Sequence, residues 1–207
     1  MIIKDYNLRM KNNILIQNSN LEFHKGKINH ILGKNGVGKS QFAIDLYINS
    51  FNYNIGDNVT LISSISNVPK DITSEDLIKV LKRKFDNNHL NYLMDLLNLN
   101  NINKNLLIGK LSDGQKQKLK LLSFFCEDKD IIILDEITNA LDKTTVTEIQ
   151  RFIMNYININ KDKIIINITH NLSDLKNMTG CYFYLHNKII EEYSSQENII
   201  EDYINED

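Results

Sequence analysis

Gly33-Lys34-Asn35-Gly36-Val37-Gly38-Lys39-Ser40 follows the pattern G-x-x-x-x-G-K-[ST] and lies between a strand-like run and a helix-like run, the context in which such a loop cradles phosphate groups. Glycines at 33, 36 and 38 let the backbone curl so that successive N–H groups point inward, and the following helix adds the positive end of its dipole. Lys39 would supply a point charge to the outer phosphates and Ser40 a hydroxyl ligand for Mg²⁺. Ile131-Ile132-Ile133-Leu134-Asp135-Glu136 reads as a buried strand ending in two adjacent carboxylates. Such a pair can serve a metal through Asp135 and orient an attacking water through Glu136. Alone, a strand followed by Asp-Glu reads as the start of a solvated loop; beside a phosphate loop, an α/β topology brings strand ends to the same crevice. Leu111-Ser112-Asp113-Gly114-Gln115 reads first as a capping box, Ser112 capping a helix with Gln115 three residues on, followed by an apolar face at Leu119, Leu122 and Cys126.

The elements that must position these residues follow from periodicity and punctuation. Strands are expected near Ile2–Leu8, Ile14–Phe23, Lys27–Leu32, Val59–Ile65, Ile131–Leu134 and Lys163–Ile168, with a hairpin-like pair at Tyr182–His186 and Lys188–Tyr193. Helices are expected from Lys39 to about Asn49, Ser112 to about Cys126, Thr144 to Tyr156, Leu172 to Met178, and after Ser194. The stretch from Thr73 to Leu107 reads as mainly helical and strand-free, opened by Thr73 as a cap with Asp76 three residues on. Its many asparagines do not make it low-complexity, because Leu90, Leu93, Met94 and Leu97 fall on one helical face. Strands alternating with helices, several of them continuous aliphatic runs, predict an α/β core with a mostly parallel sheet covered on both faces.

With these motifs in order, the chain resembles the ATP-binding-cassette ATPases. Leu111–Gln115 is similar to that family's LSGGQ signature, and Ser112 stands 23 residues before Asp135. Asn139-Ala140-Leu141-Asp142 looks like its D-loop, and Thr169-His170 like its switch histidine. The resemblance implies a P-loop NTPase fold with an antiparallel N-terminal β part, as one domain over residues 1–207 with a small helical insert at about 70–125. It implies ATP and Mg²⁺ as ligands, with Gly33, Asn35, Gly36, Gly38, Lys39, Ser40 and Gln41 on the nucleotide. Ser40, Asp135 and Asn67 would be placed at the metal, and Glu136 and His170 at the chemistry. It also implies a head-to-tail dimer, homomeric or heteromeric, in which Ser112, Gly114 and Gln115 of one subunit close on the nucleotide of the other and Asp142 links the two sites.

Several positions depart from the family pattern. Asp113 replaces the first signature glycine, which keeps the backbone N–H, so phosphate binding is expected to be tolerated if the added carboxylate turns outward. Gln41 stands where a Ser or Thr is usual, and it would serve the α-phosphate through its backbone. No glutamine occurs between Gln41 and Gln115, so the Q-loop glutamine is missing, and Asn67 is the nearest amide. No aromatic is in place to stack on adenine: Tyr6 comes too early, and Arg9 or Met10 lies nearer. The interval from Lys39 to Ser112 is 73 residues, which implies a trimmed helical insert.

The composition narrows the remaining choices. The chain has 207 residues, with 24 Lys+Arg against 26 Asp+Glu and 42% hydrophobic side chains, enough for one sizeable core. Near-balanced charge argues against a nucleic-acid partner. Aliphatic runs of four residues or fewer are far short of the roughly 20 that cross a bilayer. The start, Met1 to Tyr6, lacks the features of a secretory signal, so a cytoplasmic protein, peripheral at the inner face of the membrane, is expected. Cys126 and Cys181 have no paired spacing and read as two buried reduced thiols, without a disulfide or metal framework. The expected role is the ATPase subunit of a transporter driving an integral membrane permease, with peptide or antimicrobial export or self-protection as the class that such a compact subunit resembles. Two alternatives remain at this stage: a soluble cassette ATPase of an assembly, nucleic-acid or ribosome complex, and a non-hydrolysing nucleotide-dependent interaction module.

Overall fold

The computed structural model describes residues 1–206. Strands β1 (Ile2–Met10) and β2 (Asn13–Glu22) form an antiparallel pair. Strands β3 (Ile28–Leu32), β4 (Val59–Ile62), β5 (Ile131–Asp135), β6 (Ile164–Thr169), β7 (Gly180–His186) and β8 (Ile189–Tyr193) form a second sheet in the order β4-β5-β6-β3-β7-β8. Its neighbours pair in parallel except β7 with β8. The helices are α1 (Lys39–Ile48), α2 (Ser74–Lys84), α3 (Asn87–Leu96), α4 (Asp113–Phe125), α5 (Lys143–Ile159), α6 (Leu172–Asn177) and α7 (Gln196–Asn205).

The central strands explain the layering. Every residue of β3, β5 and β6 is buried, so both faces of these strands need a cover. On one face Ile132, Leu134 and Ile165 pack with Leu93, Leu122, Phe152 and Tyr156 from α3, α4 and α5. On the other, Ile131, Ile133, Ile166 and Ile168 pack with Phe42 and Leu46 of α1 and with Leu21 and Phe23 at the end of the β1–β2 pair. That pair is fastened to the sheet edge where Gln17 N donates to Lys188 O at 2.8 Å and Ile190 N to Ser19 Oγ at 3.0 Å.

Two expectations need correction, the end of the fourth strand and the burial of Cys181, while the helical stretch holds with one addition. The strand from Val59 ends at Ile62, not Ile65, because Ser66 Oγ folds back to accept from Ser63 N and donate to Leu61 O. A side chain satisfying two backbone groups offers the chain a turn in place of the ladder. The Thr73–Leu107 stretch opens with the expected capping box of Thr73 and Asp76, and Leu90, Leu93, Met94 and Leu97 are buried together. Helices α2 and α3 make the stretch mainly helical and strand-free as expected, and Leu107 returns to bridge Thr73 in a single antiparallel rung. Cys126 is buried, whereas Cys181 is partly exposed, since β7 lies toward the sheet edge.

His30, in the centre of β3, is fully buried. Its Nε2 donates to Met178 O at 2.8 Å and Asn167 Nδ2 donates to its Nδ1 at 3.2 Å, a pairing that requires the neutral ring. Burial holds its pKa down at about 4, with the Met178 carbonyl opposing. Because the unfolded chain takes up a proton near pH 6.5 that the folded chain refuses, this contribution is complete above pH 6.5 and is lost as pH falls toward about 4. Urea midpoints of the native chain are expected to fall across that window, and His30→Gln should flatten the fall; an equally steep decline in the variant would contradict the assignment.

Candidate functional site

The parallel register sets the site. Leu32 at the end of β3 pairs with Thr169 at the end of β6, and Ile168 pairs with Asp135 at the end of β5. Three strands therefore deliver the glycine-rich loop, the Asp-Glu pair and His170 to one edge. In the loop Gly36 and Gly38 adopt φ of +85° and +111°, which L side chains rarely reach. A Cβ at Gly36 would meet no atom within 4 Å, whereas at Gly33 it would come within 2.8 Å of Leu185 O. The loop thus presents open backbone on one side and packs closely on the other.

Lys39 is buried, its Nζ donating to Gly33 O at 2.8 Å and Lys34 O at 2.9 Å. Burial pulls its pKa down, while Glu136 and Asp135 oppose that shift. Its Nζ lies 3.9 Å from Glu136 Oε1. Glu136 carries φ of +54°, a left-handed conformation that costs a non-glycine residue roughly 1 kcal/mol or more. Around it the carboxylate is clasped: His170 Nδ1 is 2.9 Å from Oε1, and Asn139 Nδ2 donates to Oε2 at 2.8 Å. The backbone is fixed as well, Glu136 N donating to Ile168 O at 3.0 Å.

Asp135 is buried, and its Oδ1 has no hydrogen-bond partner among the described residues. Burial raises its pKa, a shift opposed by the Ser40 hydroxyl and by Lys39 and reinforced by Glu136. A desolvated carboxylate oxygen without a donor, beside a serine hydroxyl, is an oxygen set that fits Mg²⁺. Asn35, Gly36, Gly38, Lys39, Ser40, Gln41 and Glu136 line one hollow.

Other expected site residues lie elsewhere. Asn67 donates through Nδ2 to Ile65 O at 3.2 Å and lines a neighbouring hollow with Gln117, Lys120 and Asn139; it is not brought to Asp135. Ser112 caps α4, its Oγ accepting from Gln115 N at 3.2 Å, while Gln115 Oε1 accepts from Ser112 N at 3.1 Å. Asp113 turns outward, 82% exposed, with Lys116 Nζ at 3.1 Å. Asp142 caps α5, accepting from Thr145 N at 3.0 Å and from Thr145 Oγ1 at 2.6 Å. A Cβ at Gly114 would lie 2.5 Å from that same Thr145 Oγ1, so glycine is what lets the two helix starts touch. Ser112, Gly114, Gln115 and Asp142 therefore form a second group, outside the residues that line the phosphate-loop hollow.

Sequence reasoning missed the buttress behind the site. Asp174 is 1% exposed and accepts from Thr138 Oγ1 at 2.9 Å, Thr169 Oγ1 at 2.8 Å and Gln150 Nε2 at 2.7 Å. It joins the segment after Glu136 to the residue before His170. The loop motif Asn139–Asp142 carries no sign in sequence of the Asn139 contact to Glu136. The only signal for Asp174 was its place four residues after His170; its partners are separated from it in sequence by up to 36 residues.

Residues 16–139 match the family described as ABC transporter. The chain is 53% identical over 209 residues, covering 100% of both, to the Bacillus subtilis (strain 168) protein named "Probable peptide export ATP-binding protein YydI". The solved structure of cbiO1 from Clostridium perfringens, part of the ABC transporter complex cbiONQ, superposes with a TM-score of 0.77 at 15% identity, over 98% of this chain and 91% of that one. An ATP-binding subunit of an ABC transporter does so with a TM-score of 0.74 at 16% identity, over 100% and 94%. At these identities the two superpositions speak to the fold.

Because burial raises the Asp135 carboxyl, its ionised form costs folding free energy at neutral pH, a cost that fades as pH falls toward the ordinary value of 3.8. Asp135→Asn is accordingly expected to raise the urea midpoint at pH 7 while phosphate release falls to background. A midpoint equal to or below that of the native chain would overturn this reading.

Proposed function

The chain belongs to the ABC transporter family of ATPases, and on that premise we propose that it is the ATP-hydrolysing subunit of a peptide exporter, acting as a dimer beneath a separate membrane permease. The observation that carries the catalytic part is the clasp on Glu136 by His170 and Asn139, 3.9 Å from the Lys39 ammonium. A carboxylate fixed from both oxygens at the mouth of a phosphate loop is placed to orient water against a terminal phosphate. Lys39, free to exchange its two carbonyl partners for phosphate oxygens, holds the triphosphate, and the Gly33–Gln41 backbone fixes its register. Mg²⁺, held by Ser40 and Asp135, would supply charge neutralisation of the phosphates. Asn67 is the amide that would reach this site if the loop after β4 closes inward.

The dimer accounts for the second group. The start of α4, capped by Ser112 with Gly114 pressed on Thr145, offers backbone N–H groups and a helix dipole. Within one chain it does not line the phosphate-loop hollow; on a second copy, turned head to tail, it would complete the cage around the terminal phosphate. Asp142, at the foot of α5 beside Gly114, would then sit at the seam between the copies. Cleavage of the terminal phosphate removes the shared contact, and the copies part.

The permease is proposed as an integral membrane protein because no helix of the described residues is long and apolar enough to cross a membrane. Export of peptide is the activity in the name of the 53%-identical relative. Helices α2 and α3, with the stretch returning to Leu107, would form the subdomain facing the permease and place the subunit at the cytoplasmic face.

Glu136→Gln is expected to slow phosphate release by roughly 10²- to 10⁴-fold and to accumulate as a dimer on size exclusion in Mg-ATP but not Mg-ADP. A variant that stays monomeric at saturating Mg-ATP would count against the sandwich. Co-purification of the native chain with a multi-span protein from solubilised membranes supports the transporter role, and recovery with soluble assembly factors alone would overturn it.

A further inference from the structure

At the opposite end of β3 from the phosphate loop, three potential metal ligands of different chemistry converge. His24, just beyond β2, Cys181 on β7 and Glu192 on β8 each offer one ligand atom, and the three atoms lie within 4.8 Å of one another. His24 Nε2 is 3.6 Å from Glu192 Oε1, longer than a hydrogen bond. The positions follow from the sheet register. Glu192 pairs with Phe183, two residues from Cys181 on the same strand face, so Cys181 and Glu192 are diagonal neighbours. Cys181 pairs with Asn29 on β3. The buried Asn29 side chain in turn holds the backbone of His24 from both sides, accepting from His24 N at 2.9 Å and donating to His24 O at 3.1 Å. One amide therefore fixes the His24 backbone beside the strand that carries Cys181.

We propose that His24, Cys181 and Glu192 form a site for a borderline transition-metal dication, with Zn²⁺ as its best match and water as fourth ligand. Imidazole nitrogen, thiolate sulfur and carboxylate oxygen are a donor set that Zn²⁺ accepts and that the hard Mg²⁺ of the nucleotide site does not share. Around a tetrahedral Zn²⁺ neighbouring donors sit about 3.5 Å apart, so the side chains must close on the sulfur by about 1 Å, a movement that the partly exposed His24 and half-exposed Glu192 side chains share. Free Cys181 is a thiol whose pKa is raised by burial, with the nearby Lys27 ammonium opposing. Metal binding forms one bond each to sulfur, nitrogen and oxygen, displaces hydration waters and sends the Cys181 thiol proton to buffer, with no change of oxidation state. The product is a clip between the end of β2 and the β7–β8 edge, added to the hydrogen bonds that already fasten the two sheets. Nothing in it depends on the proposed transport role.

Co²⁺ is the probe, because a thiolate ligand gives it a near-ultraviolet charge-transfer band. Titrated into the chelator-stripped full chain, Co²⁺ is expected to raise that band to saturation at one equivalent, and Zn²⁺ to abolish it by displacement. Cys181→Ser should lose the band, His24→Asn should weaken Co²⁺ binding by about 10-fold or more, and Cys126→Ser should leave both unchanged. Zn²⁺ should raise the thermal midpoint of the native chain and not that of Cys181→Ser, which separates site loss from misfolding. No band in the native chain, a band retained in Cys181→Ser, or an equal thermal shift in both would overturn the site.

Discussion

The structure depends on the cost of holding unlike charges out of water at the ends of three adjacent strands. Lys39 and Asp135 are both buried, and Glu136 is next to them in a left-handed backbone conformation. Each ionised group is expensive there on its own. They are tolerable together because the Lys39 ammonium offsets the two carboxylates, loop carbonyls accept its protons, and His170 and Asn139 complete the shell of Glu136. The opposed pKa shifts of Lys39, down, and Asp135, up, are the same desolvation seen from both signs of charge.

What keeps this arrangement from relaxing is the layer beneath it. Asp174 ties Thr138, Thr169 and Gln150 into one buried network, so the segments carrying Glu136 and His170 cannot separate without stranding donors in the interior. Gln117 Nε2 on α4 donates to Ile137 O at 2.9 Å, and Gly114 rests on Thr145. The helix that begins at Ser112 is thereby locked to the segment following Glu136. A push at the start of α4 from a second copy would be felt at Glu136 through two rigid contacts, a physical route by which the dimer proposed above would tie hydrolysis to assembly.

Much of this was legible in the residues themselves. The phosphate loop needed only its glycine spacing, and the fully buried strands announced themselves as aliphatic runs. Ser112 with Gln115, and Thr73 with Asp76, obeyed capping rules that act within four residues. Most of what the residues do not show rests on partners distant along the chain. The Thr73–Leu107 bridge closes the helical stretch across the chain; the strand beyond Ile62, by contrast, yields to a local serine turn. Two of the three donors to Asp174, Thr138 and Gln150, are distant along the chain. The cluster of His24, Cys181 and Glu192 is likewise invisible to spacing rules, since strand register and the Asn29 amide together assemble it. The outward turn of Asp113 is not fixed by the helix dipole, which favours a first-turn carboxylate wherever it points; the side chain pairs there with Lys116.

Lys39 and Glu136 line one hollow and the start of α4 lies outside it; in the proposed dimer the two would come together. The most direct test of whether two copies make one catalytic centre is the specific rate of phosphate release as a function of protein concentration at saturating Mg-ATP. The expected result is a specific rate that rises with concentration and then levels off as dimers saturate. A specific rate constant over the whole range, down to concentrations where the chain is monomeric by light scattering, would contradict the account.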